Sequence, residues 1–256
     1  MNAFVAIALF CCGAAAAAAA DQLPIDAGNF RSVLPTGVAD KTTHVSAFRI
    51  DQRPVTNAEF LIFTLHHPEW RRDRVAAIYA DRDYLSHWAD ANRLGTGSGP
   101  EQPVTRVSWF ASRAYCQAVG ERLPNWAEWE LVAAADETRP DARQDAAWRE
   151  RILTWYGQPA NRPLNRVGLS PANFYGAQDL HGLVWEWVED FNALLVSSDS
   201  RDQNDPDKLK FCGAGAISLE DRDNYAVLMR IAFLSALEAR STAHSLGFRC
   251  ASGEPP

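Results

Sequence analysis

The chain has 256 residues, of which 47% are hydrophobic and 22% are charged, and these values are typical of a globular protein. They exclude a disordered chain, in which hydrophobicity is low and charge is high. The formal net charge is -7 and no cluster of lysines and arginines is present, so we do not expect a nucleic-acid-binding protein. The length suits one domain with a single hydrophobic core.

The N-terminus has the pattern of a secretory signal, with an apolar run followed by an alanine-rich stretch that ends at Ala20. No basic residue precedes the run, which departs from the usual pattern. We predict that residues 1–20 are a signal peptide and that residues 21–256 are the mature domain. A membrane anchor is the alternative, but the alanine-rich run is short for a membrane span. The expected location is periplasmic or secreted, with no membrane contact after cleavage.

Cleavage at this position leaves three cysteines in the mature chain, Cys116, Cys212 and Cys250. Disulfides form and persist in oxidising compartments such as the bacterial periplasm. Three cysteines in such a compartment indicate one disulfide and one remaining thiol.

The first elements in chain order are two strands and a helix. Residues 25–30 and 45–50 have apolar runs bounded by turn residues, which predicts two strands flanking a loop. Thr56 and Glu59 have the spacing of a capping box, which predicts a helix that starts at Thr56 and ends before Pro68. The inward face of this helix is predicted to carry Phe60, Phe63 and Leu65.

The middle of the chain predicts two more helices between irregular segments. Residues 69–100 are interpreted as a surface excursion anchored by residues 84–88. A helix is predicted from Ser108 to Gly120, and another is predicted to begin at Asn125, whose partner in a capping box is Glu128. Their predicted inward faces carry Ala111, Ala114, Tyr115 and Ala118 in the first helix and Trp126, Trp129 and Leu131 in the second. Residues 136–150 are charged and predict an exposed insertion, while residues 159–171 and 197–210 predict loops.

Residues 182–187, Gly-Leu-Val-Trp-Glu-Trp, predict a short buried strand. Alternation along a strand puts Trp185 and Trp187 on one face and Glu186 on the other. A carboxylate among buried aromatic residues must be paired, hydrogen-bonded or bound to a cation, because its isolated burial is too costly. Glu186 is therefore a candidate functional residue.

Four segments in this order resemble the formylglycine-generating enzyme family, whose domain is the sulfatase-modifying-factor domain. They are residues 48–60, residues 103–130, residues 173–187 and residues 246–251. Together they span nearly all of the mature chain. The resemblance implies a single α+β domain, a formylglycine-generating-enzyme-like variant of the C-type-lectin-like fold, with little regular secondary structure. It also implies that Cys116 and Cys250 form a disulfide.

The resemblance fails at the copper site. Active members of the family bind Cu(I) through two cysteines a few residues apart, and soft thiolates suit this ion. The corresponding positions fall at about Asp221 and Ala226, and the only nearby cysteine is Cys212. We therefore expect that this chain does not make formylglycine by the copper route. Tyr225 falls where the family has a tyrosine in its substrate groove.

The resemblance does not decide whether the chain binds calcium. The family has an asparagine where this chain has Leu183, and hard cations need oxygen ligands. The remaining candidate ligands are Asn173, Asp179 and Glu186. For Asn173 and Asp179, stabilisation of a loop is an equally good interpretation.

Cys212 has two interpretations, a small buried apolar residue or a thiolate in the groove. With His244 or His181 nearby, the thiolate would suit copper or zinc. The candidate catalytic residues are thus Cys212, Glu186, Tyr225 and His244, and whether the chain is an enzyme stays open.

The preferred hypothesis for function is an exported accessory or maturation protein. It would bind a periplasmic protein or peptide partner, such as a copper-containing or denitrification-type enzyme. The alternative is a periplasmic oxidoreductase that tailors a peptide or a siderophore-like substrate. A carbohydrate-binding module is a third hypothesis, which rests on fold analogy alone.

Overall fold

The structure is a computed structural model, and it describes residues 21–33, 42–159, 161–193 and 225–253. The part of the chain that it describes is of mixed α and β type, with short elements joined by long irregular segments. The strands are β1 (Gln22–Ile25), β2 (Gly28–Arg31), β3 (Thr42–Val45), β4 (Phe48–Asp51), β5 (Trp185–Glu186), β6 (Leu246–Gly247) and β7 (Ala251–Ser252). The helices are α1 (Asn57–His66), α2 (Trp109–Ala118), α3 (Trp126–Ala133), α4 (Ala146–Tyr156) and α5 (Tyr225–Ser235).

The strands form three small sheets. One is antiparallel with the order β1-β4-β7, the second pairs β2 with β3, and the third pairs β5 with β6 in parallel. The first sheet brings the two ends of the domain together, since Ile50 of β4 lies between Leu23 and Ala251.

The prediction of one strand over 25–30 and another over 45–50 was wrong in one respect, because each is split into two. Ile25 pairs with Phe48 and Gly28 pairs with Val45, so the register is unchanged across the break. Residues 26–27 and 46–47 leave the ladder at the same point. The two breaks therefore turn one long hairpin into two small sheets.

The capping boxes predicted for α1 and α3 are confirmed. Thr56 accepts a hydrogen bond from the Glu59 amide, and Asn125 accepts one from the Glu128 amide, with each glutamate returning to its cap. Ser108 is the N-cap of α2, as predicted, and its side chain accepts a hydrogen bond from the Ala111 amide.

The predicted inward faces of the helices were partly wrong. Phe60, Phe63 and Tyr115 are buried, but Leu65 is 52% exposed and Ala118 lies on the outer face of α2. Leu65 follows the buried Thr64, and successive residues of a helix point about 100° apart, so only one of them faces the core.

The prediction of an exposed insertion over 136–150 is confirmed for most of its residues but not for all. Asp136, Ala142 and Arg143 are buried, and α4 begins within this segment at Ala146. Glu137, Arg139 and Asp141 are exposed, whereas Asp136 and Arg143 are buried in ion pairs, and Arg143 pairs with Glu130 at 3.2 Å. Charge indicated exposure for the whole segment, but Asp136 and Arg143 are internal.

Aromatic side chains form much of the core. Phe60 contacts Tyr115, Phe248 and Trp88 with ring centroids 5.8–6.4 Å apart. Trp88, with Tyr84 and Leu85, is buried as the predicted anchor of residues 69–100. No helix within the described residues has the length and apolar character needed to cross a membrane.

The strand predicted over 182–187 is shorter than expected, since only Trp185 and Glu186 are in β5. Glu186 and Trp187 are fully buried and Trp185 is half-buried, so both faces of this segment are covered. The loop predicted over 159–171 is confirmed for the part that the structure describes, and the one over 197–210 lies outside the described residues.

Candidate functional site

Glu186 lies at the centre of a buried network beside the parallel β5–β6 pair. One carboxylate oxygen accepts a hydrogen bond from Arg249 Nη2 at 2.8 Å, and the other accepts from Arg249 Nε at 2.9 Å. Trp129 Nε1 also donates to the second oxygen, at 2.8 Å. Both side chains of the ion pair are 0% exposed. The positive partner that the burial of Glu186 requires is thus Arg249.

Arg249 uses its remaining donors on backbone carbonyls. It donates to the carbonyl oxygens of Asp51, Gln52 and Gln178 at 2.8–3.2 Å. These hydrogen bonds tie the end of β4 and the loop before β5 to the C-terminal segment. Glu186 is therefore the counter-ion of Arg249, the residue whose hydrogen bonds join three segments. The Glu186 carboxylate has no contact with solvent.

A second buried arginine extends this network from α5. The guanidinium of Arg230 lies over the ring of Trp129, with its carbon 3.5 Å from the ring centroid, and it donates to the backbone oxygen of Glu186. Burial lowers the pKa of Arg230 to about 10, which leaves it charged at neutral pH. The α5 helix is therefore joined to α3 and β5 through one cationic side chain.

Beside this network lies a cleft of about 160 Å³ between the end of α3, helix α4 and residues 170–182. Trp148 and Ile152 of α4 are buried in its wall, and Trp155 of the same helix is half-buried. The rim carries an ion pair between Arg151 and Glu137 at 2.7 Å. The cleft can take a small apolar or aromatic group and offers charged groups at its mouth.

His181 lines this cleft and is neutral. Its Nε2 lies 2.9 Å from the carbonyl oxygen of Ala133, and its ring is edge-on to Trp129 and Trp148. Burial lowers its pKa to about 4. A carbonyl oxygen only accepts, so Nε2 carries the proton and Nδ1 is left as an acceptor.

Asn173 and Asp179 also line the cleft, but their polar atoms organise its loop. The Asn173 oxygen accepts hydrogen bonds from the amides of Tyr175 and Ala177, and its amide nitrogen donates to a backbone carbonyl of α3. The Asp179 carboxylate accepts from the amides of Gly168 and Ser170.

This arrangement does not fit a calcium site built from Asn173, Asp179 and Glu186. Their oxygens face N–H donors, and Glu186 already has a cationic partner, next to which a second cation would be repelled. The geometry supports the interpretation of Asn173 and Asp179 as loop-stabilising residues. Calcium binding by the protein stays a prediction.

The disulfide that the resemblance implied is present in the structure. It joins Cys116 of α2 to Cys250, with Cα atoms 5.6 Å apart. The carboxyl groups of Asp51 and Glu121 lie next to Cys250, with oxygen atoms within 4.8 Å of each other and of its sulfur. The bonded sulfur is not a thiolate, so this group of three does not offer the ligand set of a metal site.

The other predicted site residues are only partly described. Cys212 and Asp221 lie outside the described residues, and Tyr225 and Ala226 are placed only as the first residues of α5. His244 is half-buried, and its Nε2 lies 3.1 Å from the carbonyl oxygen of Arg162. His244 and His181 thus contact separate carbonyls, and the convergence of either with Cys212 stays a prediction.

Sequence reasoning missed the α4 wall of the cleft. Asp145 caps α4 by accepting a hydrogen bond from the Trp148 amide at 3.0 Å. An aspartate followed by apolar residues three and seven positions later, here Trp148 and Ile152, is a helix signal that could have identified this wall.

Comparisons with known proteins agree on the kind of domain. A model of the sulfatase-modifying factor enzyme 1-like domain matches residues 12–253. The formylglycine-generating enzyme of Streptomyces coelicolor is 30% identical over 82% of this chain and 79% of its own length. The inactive C-alpha-formylglycine-generating enzyme 2 of Bos taurus is 32% identical over 83% of this chain and 80% of its own length. The crystal structure of CarF covers 92% of this chain and 99% of its own, with a TM-score of 0.51 at 16% identity, which is a likeness of fold alone.

Proposed function

The chain belongs to the sulfatase-modifying-factor family of formylglycine-generating enzyme-like proteins, and from this premise we propose that it is an exported accessory or maturation protein. It binds a protein or peptide partner and does not itself make formylglycine. The observation that carries this proposal is the use of its cysteines. Cys116 and Cys250 are joined to each other, which leaves Cys212 as the single cysteine of residues 21–256 outside the disulfide.

One thiol cannot form the two-thiolate site that Cu(I) requires in active members of the family. A relative that is named inactive shares 32% of its residues with this chain over most of both lengths, so the family includes members without the activity. The retained scaffold and the cleft beside α4 then serve recognition. An aromatic or aliphatic side chain of the partner would enter this cleft and pack against Trp148 and Trp155 of α4, with Arg151 and Glu137 at the rim.

Site-specific crosslinking in the cell tests the partner. A photoreactive amino acid replaces Arg151 at the cleft rim, where the side chain is 57% exposed. The matched control replaces Arg93, which is 74% exposed and does not line the cleft. We expect one dominant adduct from position 151 in the exporting host and none from position 93. Equal or absent adducts at both positions would contradict a partner at the cleft.

The alternative, an oxidoreductase that tailors a peptide or siderophore-like substrate, would rest on Cys212 as the remaining thiol of the mature chain. Metal analysis of the purified protein beside its Cys212→Ser variant separates the two proposals. Copper, zinc or iron near one per chain that is lost in the variant would favour the oxidoreductase. If the chain is an accessory protein, we expect neither sample to contain copper, zinc or iron near one per chain. The same analysis measures calcium.

The absence of formylglycine formation is tested directly. The purified protein, supplied with Cu(I) and a cysteine peptide that the Streptomyces coelicolor relative converts, is expected to leave the cysteine unchanged by mass spectrometry. That relative is the positive control in the same buffer. Conversion by this chain would overturn the proposal.

A further inference from the structure

A second group of polar side chains lies away from the cleft, around His87. This residue is half-buried in the segment of residues 85–88 that anchors the irregular region to the core. Burial lowers the pKa of His87 to about 4, and repulsion from Arg106, His244 and Arg72 contributes a smaller part of this decrease. The three titratable neighbours that act on His87 are all basic, whereas the Asp90 carboxylate acts on Arg72.

Two of these neighbours are held against the segment by backbone hydrogen bonds. Arg72 Nη1 donates to the carbonyl oxygen of Trp88 at 2.6 Å, and the carbonyl oxygen of Arg106 accepts from the Leu85 amide at 2.9 Å. Arg106 Nη1 also donates to Ser86 Oγ at 3.1 Å. Neither arginine forms an ion pair with a carboxylate among the described residues.

Three buried nitrogen atoms here have no hydrogen-bond partner within the part of the chain that the structure describes. They are Nδ1 and Nε2 of His87 and Nε of Arg106. Buried polar atoms of this kind normally have partners, because leaving one unsatisfied costs free energy.

The backbone at this place is also unusual. Leu85 and Arg106 have φ angles of 47° and 52°, in the left-handed region that residues with side chains seldom adopt. The hydrogen bond between their backbones joins the two unusual positions to each other. Strain of this kind is often retained where it positions functional groups, and here it fixes the base of the Arg106 side chain beside residue 87.

We propose that His87 and Arg106 form a binding site for an oxyanion, that is, a carboxylate, sulfate or phosphate group. The oxyanion accepts hydrogen bonds from Arg106 Nε and from one N–H of the His87 ring, and it offsets the positive charge of Arg106. His244 is not one of the proposed ligands, since its Nε2 already contacts the carbonyl oxygen of Arg162. The site shares no lining residue with the α4 cleft and does not depend on the proposed function.

Nuclear magnetic resonance of the purified protein tests this site. Acetate, phosphate and sulfate are titrated separately at constant ionic strength, and the ring signals of His87 are followed. We expect a saturable shift, together with a higher pH midpoint for His87 titration when the anion is bound, because a bound anion stabilises the charged ring. A shift that grows linearly without saturation, or no shift, would overturn the proposal.

Two variants locate the binding. Arg106→Asn removes the guanidinium but keeps a residue that tolerates a positive φ, and it is expected to weaken binding at least about tenfold. Arg82→Asn, an exposed position, is the matched control and is expected to bind as the unmodified protein does. Equal affinity in Arg106→Asn and the control would overturn the proposal. If Arg106→Asn does not fold, His87→Asn measured by calorimetry decides in the same way.

A further comparison separates the sources of the oxyanion. A short peptide with a free terminal carboxylate is compared with its amidated form. Binding of the free-acid peptide alone would identify a carboxylate of a polypeptide as the ligand. Binding of phosphate or sulfate but of neither peptide would identify a free inorganic anion.

Discussion

Glu186 and Arg249 are two opposite charges that neutralise each other where solvent does not reach. Breaking such a pair by removing one partner leaves the other charge buried and uncompensated. We therefore predict that Glu186→Gln lowers the free energy of unfolding by about 3–5 kcal/mol, measured by urea denaturation.

The matched control for this prediction is Glu189→Gln. Glu189 forms an ion pair with Arg113 in which both side chains are more than a third exposed. An exposed pair contributes about 1 kcal/mol or less, so this variant is expected to be nearly as stable as the unmodified protein. Similar losses in both variants would show that the burial of Glu186 is not what makes its charge important.

The carboxyl groups of Asp51 and Glu121 predict a dependence of stability on pH. Burial raises the pKa of Asp51 to about 6, and burial together with repulsion from Asp51 raises the pKa of Glu121 to about 7. Their pKa values in the folded state lie above the unfolded values near 4, so the folded state holds protons that the unfolded state has lost. Their contribution to stability is present below about pH 4 and is lost as the pH rises to about 7.

The test of this dependence is Glu121→Gln. The variant is expected to make the free energy of unfolding fall less steeply between pH 5 and pH 8, because one of the two titrating groups is gone. Glu69→Gln, at an exposed position, should leave the slope unchanged. An unaltered slope in Glu121→Gln would mean that Glu121 is not the group that titrates.

At the level of elements, α4 depends on its N-cap. The Asp145 side chain accepts from the Trp148 amide and forms an ion pair with Arg139 at 3.0 Å. Asp145→Ala is expected to lower the free energy of unfolding by about 1 kcal/mol, the usual contribution of a cap. Asp145→Asn keeps a capping oxygen and should retain most of that stability. Thermal unfolding followed by circular dichroism measures both, and equal losses would assign the effect to the ion pair instead.

The sequence was most informative where a signal is local. Thr56, Ser108 and Asn125 marked the starts of three helices because a cap and its partner are three residues apart. The start of α4 carries a similar signal at Asp145, but the surrounding charged residues favoured an exposed segment. The burial of Arg143 among them follows from its partner Glu130, which lies 13 residues away, and composition does not contain this information.

At the candidate site, too, some features could be predicted from the sequence and others could not. The need for a positive partner of Glu186 follows from its burial and could be stated from sequence. The identity of that partner could not, since Arg249 is 63 residues away and reaches Glu186 only through the pairing of β5 with β6. The contact of Arg230 with Trp129 depends on the position of α5, so it could not be predicted from the sequence either.

At the scale of the whole molecule, the disulfide closes most of the domain into one loop. Cys116 and Cys250 are 134 residues apart, and on the chain-entropy model such a link stabilises the fold by roughly 4–5 kcal/mol. The double variant Cys116→Ala/Cys250→Ala is expected to lose stability of this order in urea denaturation. Cys212→Ser, which leaves the link intact, is the control. A loss below about 1 kcal/mol in the double variant would mean that the other contacts already restrict the unfolded chain.

The position of β7 also has a consequence for the order in which the fold can be completed. β7 closes the first sheet against β4, and just before it lie Arg249, the partner of Glu186, and Cys250, the partner of Cys116. These three long-range links therefore depend on residues 249–252, which a ribosome adds after the residues that they contact. A chain that stops short of Arg249 lacks them together, so premature termination yields a product that proteases can distinguish from the complete protein.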